Sequence, residues 1–272
     1  MKEMHQRISA YIQNNFMDKV SFVARESEGM SVQATEQYLL VDCGMPADTF
    51  NIGVLRADDA GSECAVRQMT DYFAARAFPM SLWCWEPLGG RPRLAIENAG
   101  LSQAEINEGM YAYAEDLSPE AQMPEGFTVK QVRTPGEVRQ FGAVLSSLFG
   151  DGSEAKHVNL YYDRLAESPL WTRPEMALYI GVLSDGTPVS VGSTIRSRDS
   201  VGIYDIATLD EYRKRGFGSA MFHHIVSDIL TWHDGLIVLQ ASEAGAGLYK
   251  RAGFRPVCAI RVFENRHGME LN

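Results

Sequence analysis

The chain has 272 residues, a length that suits one large domain or two of ordinary size. Its residues are 45% hydrophobic and 22% charged, a balance typical of soluble globular proteins. The net charge of −10 argues against a broadly basic surface for nucleic acid, and no apolar run approaches the ~18 residues of a membrane span. We therefore expect a soluble, cytoplasmic protein without a nucleic-acid or membrane partner.

The cysteines and histidines give no metal-binding pattern. The cysteines have neither C-x-x-C spacing nor a neighbouring histidine cluster, so reduced thiols are expected. They are Cys43, Cys64, Cys84 and Cys258. The adjacent His223 and His224 project about 100° apart on a predicted helix and cannot chelate one ion together. No metal is therefore expected.

Hydrophobic periodicity in the first half predicts helices alternating with strands. Helices are predicted over the first ~20 residues, over 62–75 with Ser62 as N-cap, and over 91–98, ended by Gly100. Strands are predicted over 38–42, 50–55, 80–85 and 109–117. Two prolines and a glycine make 118–126 the predicted linker.

The second half has a longer run of predicted elements. Strands are predicted over 127–132, 176–183, 189–196, 201–209, 236–240 and 257–263, with a hairpin turn at 184–188. Helices are predicted over 135–149, 154–166 and 219–230, and from 245. The order is strand, two helices, three strands, helix, strand, helix, strand.

A basic glycine loop, Arg213-Lys214-Arg215-Gly216-Phe217-Gly218, joins the strand at 201–209 to the helix that follows it. Glycines let backbone approach an anion, and a helix N-terminus adds unpaired N–H groups and partial positive charge. The loop lacks the Gly-Lys-Ser/Thr of a P-loop and the three glycines and distal acid of a dinucleotide site. It therefore indicates a phosphate site of another kind.

This loop resembles the acetyl-CoA-binding signature of the GNAT superfamily of N-acetyltransferases. Arg213, Gly216 and Gly218 match its Arg/Gln-x-x-Gly-x-Gly/Ala pattern, and 248–254 resembles the family's Leu-Tyr-x-x-x-Gly-Phe segment. The resemblance implies an α/β fold of the GNAT acyl-CoA N-acyltransferase type, with a mixed central sheet flanked by helices. It also implies acetyl-CoA as cosubstrate.

The first half lacks such a loop, yet the aromatic strand near 78–85, its helix and the segment 109–112 resemble a degenerate amino-terminal domain of two-domain GNAT proteins. We therefore expect two tandem GNAT-like domains: 1–120 without a cofactor motif and 127–272 as the catalytic domain. An unrelated α/β cap is the alternative for the first half.

The resemblance also implies which residues hold the cofactor. Backbone N–H groups from Lys214 onward are expected to bind pyrophosphate, and backbone groups of Ala207 and Leu209 to contact the pantetheine arm and the thioester. The full predicted set is Ala207, Thr208, Leu209, Arg213, Lys214, Arg215, Gly216, Phe217, Gly218, Ser219 and Ser242. Solvated surface charges are the alternative for Arg213 and Lys214.

Two residues are candidates for proton transfer. The family places a tyrosine at the position of Tyr249 as general acid for the leaving thiolate, and a phenol is protonated at neutral pH. A packing role is the alternative for Tyr249. Asp205 interrupts an apolar strand and is the candidate base, since a buried carboxylate needs a partner or a purpose. The family's usual glutamate would instead fall near Gly202.

These features predict an N-acetyltransferase that moves an acetyl group from acetyl-CoA to a primary amine by direct transfer in a ternary complex. The acceptor is a small molecule or a peptide. Two alternatives stay open: a non-catalytic acyl-CoA-binding regulatory protein, and an enzyme with a longer acyl donor.

Overall fold

A computed structural model describes residues 2–56, 61–118 and 123–265. Contacts divide the chain into two compact units. The first unit comprises Met1–Gly109, Ala241–Ala244 and Pro256–Asn272, and the second comprises Met110–Gln240 and Gly245–Arg255. Part of the predicted linker, 119–122, lies outside the described residues. The predicted domains 1–120 and 127–272 remain a prediction. They differ from these units in residues 110–120, which belong to the second unit, and in Ala241–Ala244 and Pro256–Asn272, which belong to the first.

The described residues of the first unit form three α-helices and six strands, and two of these strands extend into the second unit. The helices are α1 (Lys2–Phe22), α2 (Ser62–Ala74) and α3 (Gly90–Asn98). The strands are β1 (Ser31–Ala34), β2 (Tyr38–Asp42), β3 (Ile52–Leu55), β4 (Ser81–Trp85), the first part of β5 (Ser102–Tyr113) and β11 (Arg255–Glu264).

The sheet of the first unit has the order β1-β2-β3-β4-β11-β5. The β3–β4 pair is parallel, with α2 as its crossover, and β11 pairs antiparallel with β4. One side of α2 supplies Val66, Met69 and Phe73 to the buried core, and none of these side chains is measurably exposed. The amphipathic spacing of these residues explains why this segment forms a core-facing helix.

The described residues of the second unit form four α-helices and the remaining strands. The helices are α4 (Pro135–Ser146), α5 (Ser153–Glu167), α6 (Phe217–Leu230) and α7 (Ala246–Arg251). The strands are β6 (Phe127–Gln131), β7 (Met176–Leu183), β8 (Pro188–Arg196), β9 (Val201–Thr208), β10 (Leu236–Ala241) and the end of β5.

The sheet of the second unit has the order β5-β10-β9-β8-β7-β6. Strands β6 to β9 pair antiparallel, whereas β9 and β10 pair in parallel and are linked by α6. An added Cβ on Gly192 of β8 would meet Met221 and Ile225, so this face of the sheet packs closely on α6. The connection from β9 to α6 therefore places the start of α6 at the end of the sheet where β9 ends.

Several predicted element boundaries change in the structure. Gly61, not Ser62, is the N-cap of α2, because Ser62 is already helical and buried. Strand β1 has no counterpart among the predicted elements, and β5 begins seven residues before the predicted start at 109. In the described part of the chain, none of the helices has both the length and the apolar character needed to cross a membrane.

Candidate active site

The middle of β9 contains a β-bulge. Val191 of β8 pairs with Ala207, but the next pair joins Ser193 to Tyr204, so two residues of β9 stand opposite Gly192 alone. One of these two residues is Asp205, whose φ of 56° lies in the left-handed region that is rare for a side chain of this type. Bulges re-aim side chains and often lie next to active sites. The bulge therefore makes the middle of β9 a candidate part of an active site.

Strands β9 and β10 are joined only along their first halves. Their parallel register pairs Val201–Ile203 with Ile237–Leu239, while β9 continues to Thr208 and β10 to Ala241. Beyond Ile203 the edge of β9 that faces β10 is therefore outside this ladder. An extended ligand can add to such an edge as another strand would, through main-chain hydrogen bonds.

The register identifies which residue of β9 offers its backbone to that edge. The N–H group of Leu209 donates to the carbonyl of Val189 at 3.0 Å, on the β8 side. Because hydrogen-bonded and non-hydrogen-bonded pairs alternate along an antiparallel ladder, Ala207 faces β8 as well and Thr208 faces the other way. The backbone groups of Ala207 and Leu209, the predicted contacts of the pantetheine arm, therefore face β8. Thr208 is the residue whose backbone groups face the open edge.

The start of α6 carries backbone donors without intrahelical partners. Gly216 is the N-cap with φ of 87°, a conformation that glycine adopts without strain. The helical ladder begins with the N–H group of Ala220 bonded to the Gly216 carbonyl at 2.9 Å, which leaves 217–219 ahead of it. An added Cβ on Gly218 would lie 3.2 Å from Oγ1 of Thr208. The start of α6 and the open edge of β9 are therefore adjacent.

The three basic residues of the loop have different surroundings. Nη2 of Arg213 lies 2.8 Å from Oδ1 of Asp210, and its Nε donates to the Thr208 carbonyl at 3.2 Å, so this side chain ties the loop to β9. Arg215 lies over the rings of Tyr212 and Phe217, with its Cζ 5.4 and 5.3 Å from their centroids. Within the described residues, neither Lys214 nor Arg215 forms an ion pair, which leaves two positive charges beside the helix start.

The carboxylate of Asp205 faces α5. It accepts a hydrogen bond from Oγ of Ser193 at 2.6 Å. Burial and then the negative charge of Asp205 raise the pKa of Tyr162, a residue of α5, well above its ordinary value. Neighbouring residues of a strand point to opposite faces, and Gly192 faces α6, which agrees with Ser193 facing α5. Asp205 is thus a partnered acid at the bulge rather than an isolated one.

Tyr249 lies in α7 and packs against α6. Its ring is 5.0 Å from the ring of Phe222 in an edge-on arrangement. Burial raises the pKa of Tyr249 to about 12, so the phenol holds its proton throughout the neutral range. Its hydroxyl has no hydrogen-bond partner within the part of the chain that the structure describes. These properties suit a proton donor, although the same ring contact suits a packing role.

Two polar residues at the end of β10, Gln240 and Ser242, are further candidates for the site. Gln240 follows the last paired residue of β10, and its Nε2 is buried without a hydrogen-bond partner among the described residues. A lone amide in the run Leu236–Ala241 is the signal that could have identified it. The predicted Ser242 lies just past β10 and is exposed. Among the residues that the structure describes, no group of acids, histidines and cysteines could hold a metal ion.

Comparisons with known proteins show which family and fold the chain resembles. Residues 177–256 match the family model of the acetyltransferase (GNAT) domain, so the chain contains a GNAT domain. A search of curated proteins found no match.

Solved structures support the same fold across most of the chain. A GCN5-related N-acetyltransferase from Kribbella flavida shares 15% identity, with a TM-score of 0.66 over 94% of this chain and 95% of that one. A GCN5-related N-acetyltransferase-like protein from Streptococcus suis shares 14% identity, with a TM-score of 0.57 over 97% and 99%. A tandem GNAT protein from the clavulanic acid biosynthesis pathway shares 10%, with a TM-score of 0.57 over 93% and 94%. The predicted superfamily and its mixed α/β fold are confirmed.

Proposed function

We propose that this protein is an acetyl-CoA-dependent N-acetyltransferase that acts on a primary amine. One observation carries the proposal: the unpaired N–H groups at the start of α6 lie directly beside the edge of β9 that the β10 ladder leaves open. A ligand with a diphosphate at one end and an extended amide chain at the other fits such a neighbourhood. The matched GNAT family model supports an acyltransferase of this class.

The residues fit the two halves of acetyl-CoA in different ways. The N–H groups of 217–219, with the charges of Lys214 and Arg215, supply donors and positive potential for pyrophosphate. The N–H group of Thr208 faces the open edge and is placed to pair with the pantetheine arm. Arg213 acts on the cofactor indirectly, because its guanidinium holds the loop against Thr208 and Asp210.

Acetyl transfer needs a base on one side of the thioester and an acid at its sulfur. The Asp205 carboxylate lies on the face of the sheet opposite α6, beside Ser193, whereas Tyr249 packs on α6. In the proposed mechanism Asp205 takes the proton of the amine, directly or through water. The amine nitrogen then bonds to the carbonyl carbon, the carbon–sulfur bond breaks, and Tyr249 gives its hydroxyl proton to the thiolate.

Direct attack requires that donor and acceptor are bound together, so the proposal includes a ternary complex. The acceptor is a small-molecule or peptide amine. The net charge of −10 gives a weak long-range attraction for such cations, which salt screens.

Release of CoA thiol tests the proposal. The protein is mixed with acetyl-CoA and a panel of amines that spans polyamines, amino acids, aminoglycosides and peptide N-termini, and free thiol is followed with a colorimetric disulfide reagent. We expect amine-dependent release by wild type and little by Gly218→Asp. Tight CoA binding without release from any amine would favour the alternative, a non-catalytic acyl-CoA-binding regulatory protein.

A further inference from the structure

A cavity lies in the second unit, at the end of its sheet opposite to the proposed cofactor site. It has a volume of about 470 Å³ and is lined by the end of β8, the start of β7 and the carboxy-terminal end of α6. Its lining residues Thr194 and Arg196 pair with Ile203 and Val201 at the beginning of β9. Thr208 lies at the other end of β9, roughly 20 Å away at the rise of an extended strand. The cavity is therefore separate from the proposed cofactor site.

Two tryptophans line this cavity, and its exposed mouth carries Arg133, Arg173 and Arg196 together with the acid Glu175. Trp171, in a short 3-10 turn after α5, and Trp232, just past α6, both line it. Arg196 lies over the Trp232 ring with its Cζ 5.0 Å from the centroid. Neither Arg133 nor Arg196 forms an ion pair with an acid in the described ranges, although Nη2 of Arg133 bonds to Oε1 of Gln131 at 2.5 Å. These two guanidinium groups can therefore bind an anion.

The floor of the cavity has the opposite character. The hydroxyl of Tyr179 donates to Oδ2 of Asp228 at 2.6 Å, and the Tyr179 side chain is almost fully buried. Burial and this hydrogen bond raise the pKa of Tyr179, so its proton stays on the phenol. The Asp228 carboxylate can accept further hydrogen bonds, so a hydrogen-bond donor of a ligand can pair with it. An anionic group is repelled from this floor and is directed toward the arginines at the mouth.

We propose that this cavity is a binding site for a small aromatic carboxylate that carries a hydrogen-bond donor at its far end. The carboxylate pairs with Arg133 and Arg196, the ring packs against the tryptophans, and the donor reaches Asp228. Charge-assisted bonds from guanidinium to carboxylate are among the strong ones, and tryptophan faces favour flat partners. The volume lies within the range of small-ligand pockets. The inference does not depend on the acetyltransferase proposal.

Calorimetric titration of the full-length chain with 4-hydroxybenzoate tests this site. Three matched variants are used: Arg196→Gln, the double change Arg133→Gln with Arg196→Gln, and the control Arg198→Gln, which alters an exposed charge outside the lining. We expect the double variant to bind roughly tenfold more weakly or worse, as loss of charge-assisted bonds implies, and the control to bind as wild type does. Benzoate, which lacks the donor, and 4-hydroxybenzyl alcohol, which lacks the charge, should both bind more weakly.

A second titration in the presence of saturating CoA separates this site from the cofactor site. Unchanged binding of 4-hydroxybenzoate is expected. The proposal is overturned by any of three results: no detectable binding to wild type, equal binding to wild type and the double variant, or displacement of the probe by CoA. None of these results would contradict acetyl transfer at the other end of the sheet.

Discussion

Replacement of Tyr249 by phenylalanine separates its proposed acid role from a packing role. The change removes one hydroxyl and keeps the ring that packs on Phe222 at 5.0 Å. If the phenol protonates the leaving thiolate, kcat should fall by about 100-fold, the lower end for a positioned acid. The KM for acetyl-CoA should change little, because the proposed binding groups lie in the glycine loop and β9.

The pKa of Tyr249 adds a second readout. The pKa in the folded protein is about 12, against about 10 for an exposed tyrosine. A raised pKa stabilises the fold fully below pH 10, and this contribution is lost as the pH rises toward 12. Between pH 9 and 11 the unfolding free energy of wild type should therefore fall by about 1.3 kcal/mol relative to the phenylalanine variant.

Steady-state thiol release and urea unfolding at both pH values measure the two effects. Tyr113→Phe is the matched control, because it removes a hydroxyl from the same unit at a partly exposed position in β5. A wild-type rate in the Tyr249 variant, with chemistry shown to limit turnover, would refute the acid role. An unchanged stability difference between pH 9 and 11 would refute the desolvation argument.

The helix start, the bulge and the cap of α4 each allow a separate test. Gly218→Asp should weaken CoA binding at least tenfold more than the neutral Gly218→Asn, as calorimetry can show, since only the first adds negative charge beside the phosphates. Equal losses would mean that the loop does not bind an anion. Asp205→Asn should lower kcat by about 100-fold at saturating acetyl-CoA, whereas an unchanged kcat would exclude Asp205 as the base. Thr134→Ala removes the capping box with Glu137 and should lower the unfolding free energy by about 1 kcal/mol in urea titrations without changing turnover.

Local sequence features predicted the part of the site that is local in the chain. The basic glycine loop and the apolar periodicity of α6 identified the helix start, because backbone donors at a helix terminus depend on neighbouring residues alone. The superfamily was recognisable for the same reason, since its signature lies within one loop and one short helix.

Features that depend on pairing between distant strands were not predictable. The bulge at Asp205 is defined only by the partner strand β8, and it decides whether Thr208 or Leu209 faces the open edge. The hydrogen bond from Ser193 to Asp205 joins strands whose relevant residues are twelve positions apart. The pairing of β11 with β4 joins segments separated by most of the chain, and no local pattern encodes it.

A crystal structure of the protein with CoA tests the central claim most directly. We predict pyrophosphate oxygens within hydrogen-bond distance of the N–H groups of 217–219, and the pantetheine arm paired to the backbone of Thr208 along the open edge of β9. The sulfur should lie between Asp205 and Tyr249. Phosphates bound to residues of the first unit, or an ordered CoA that leaves the start of α6 untouched, would contradict the account.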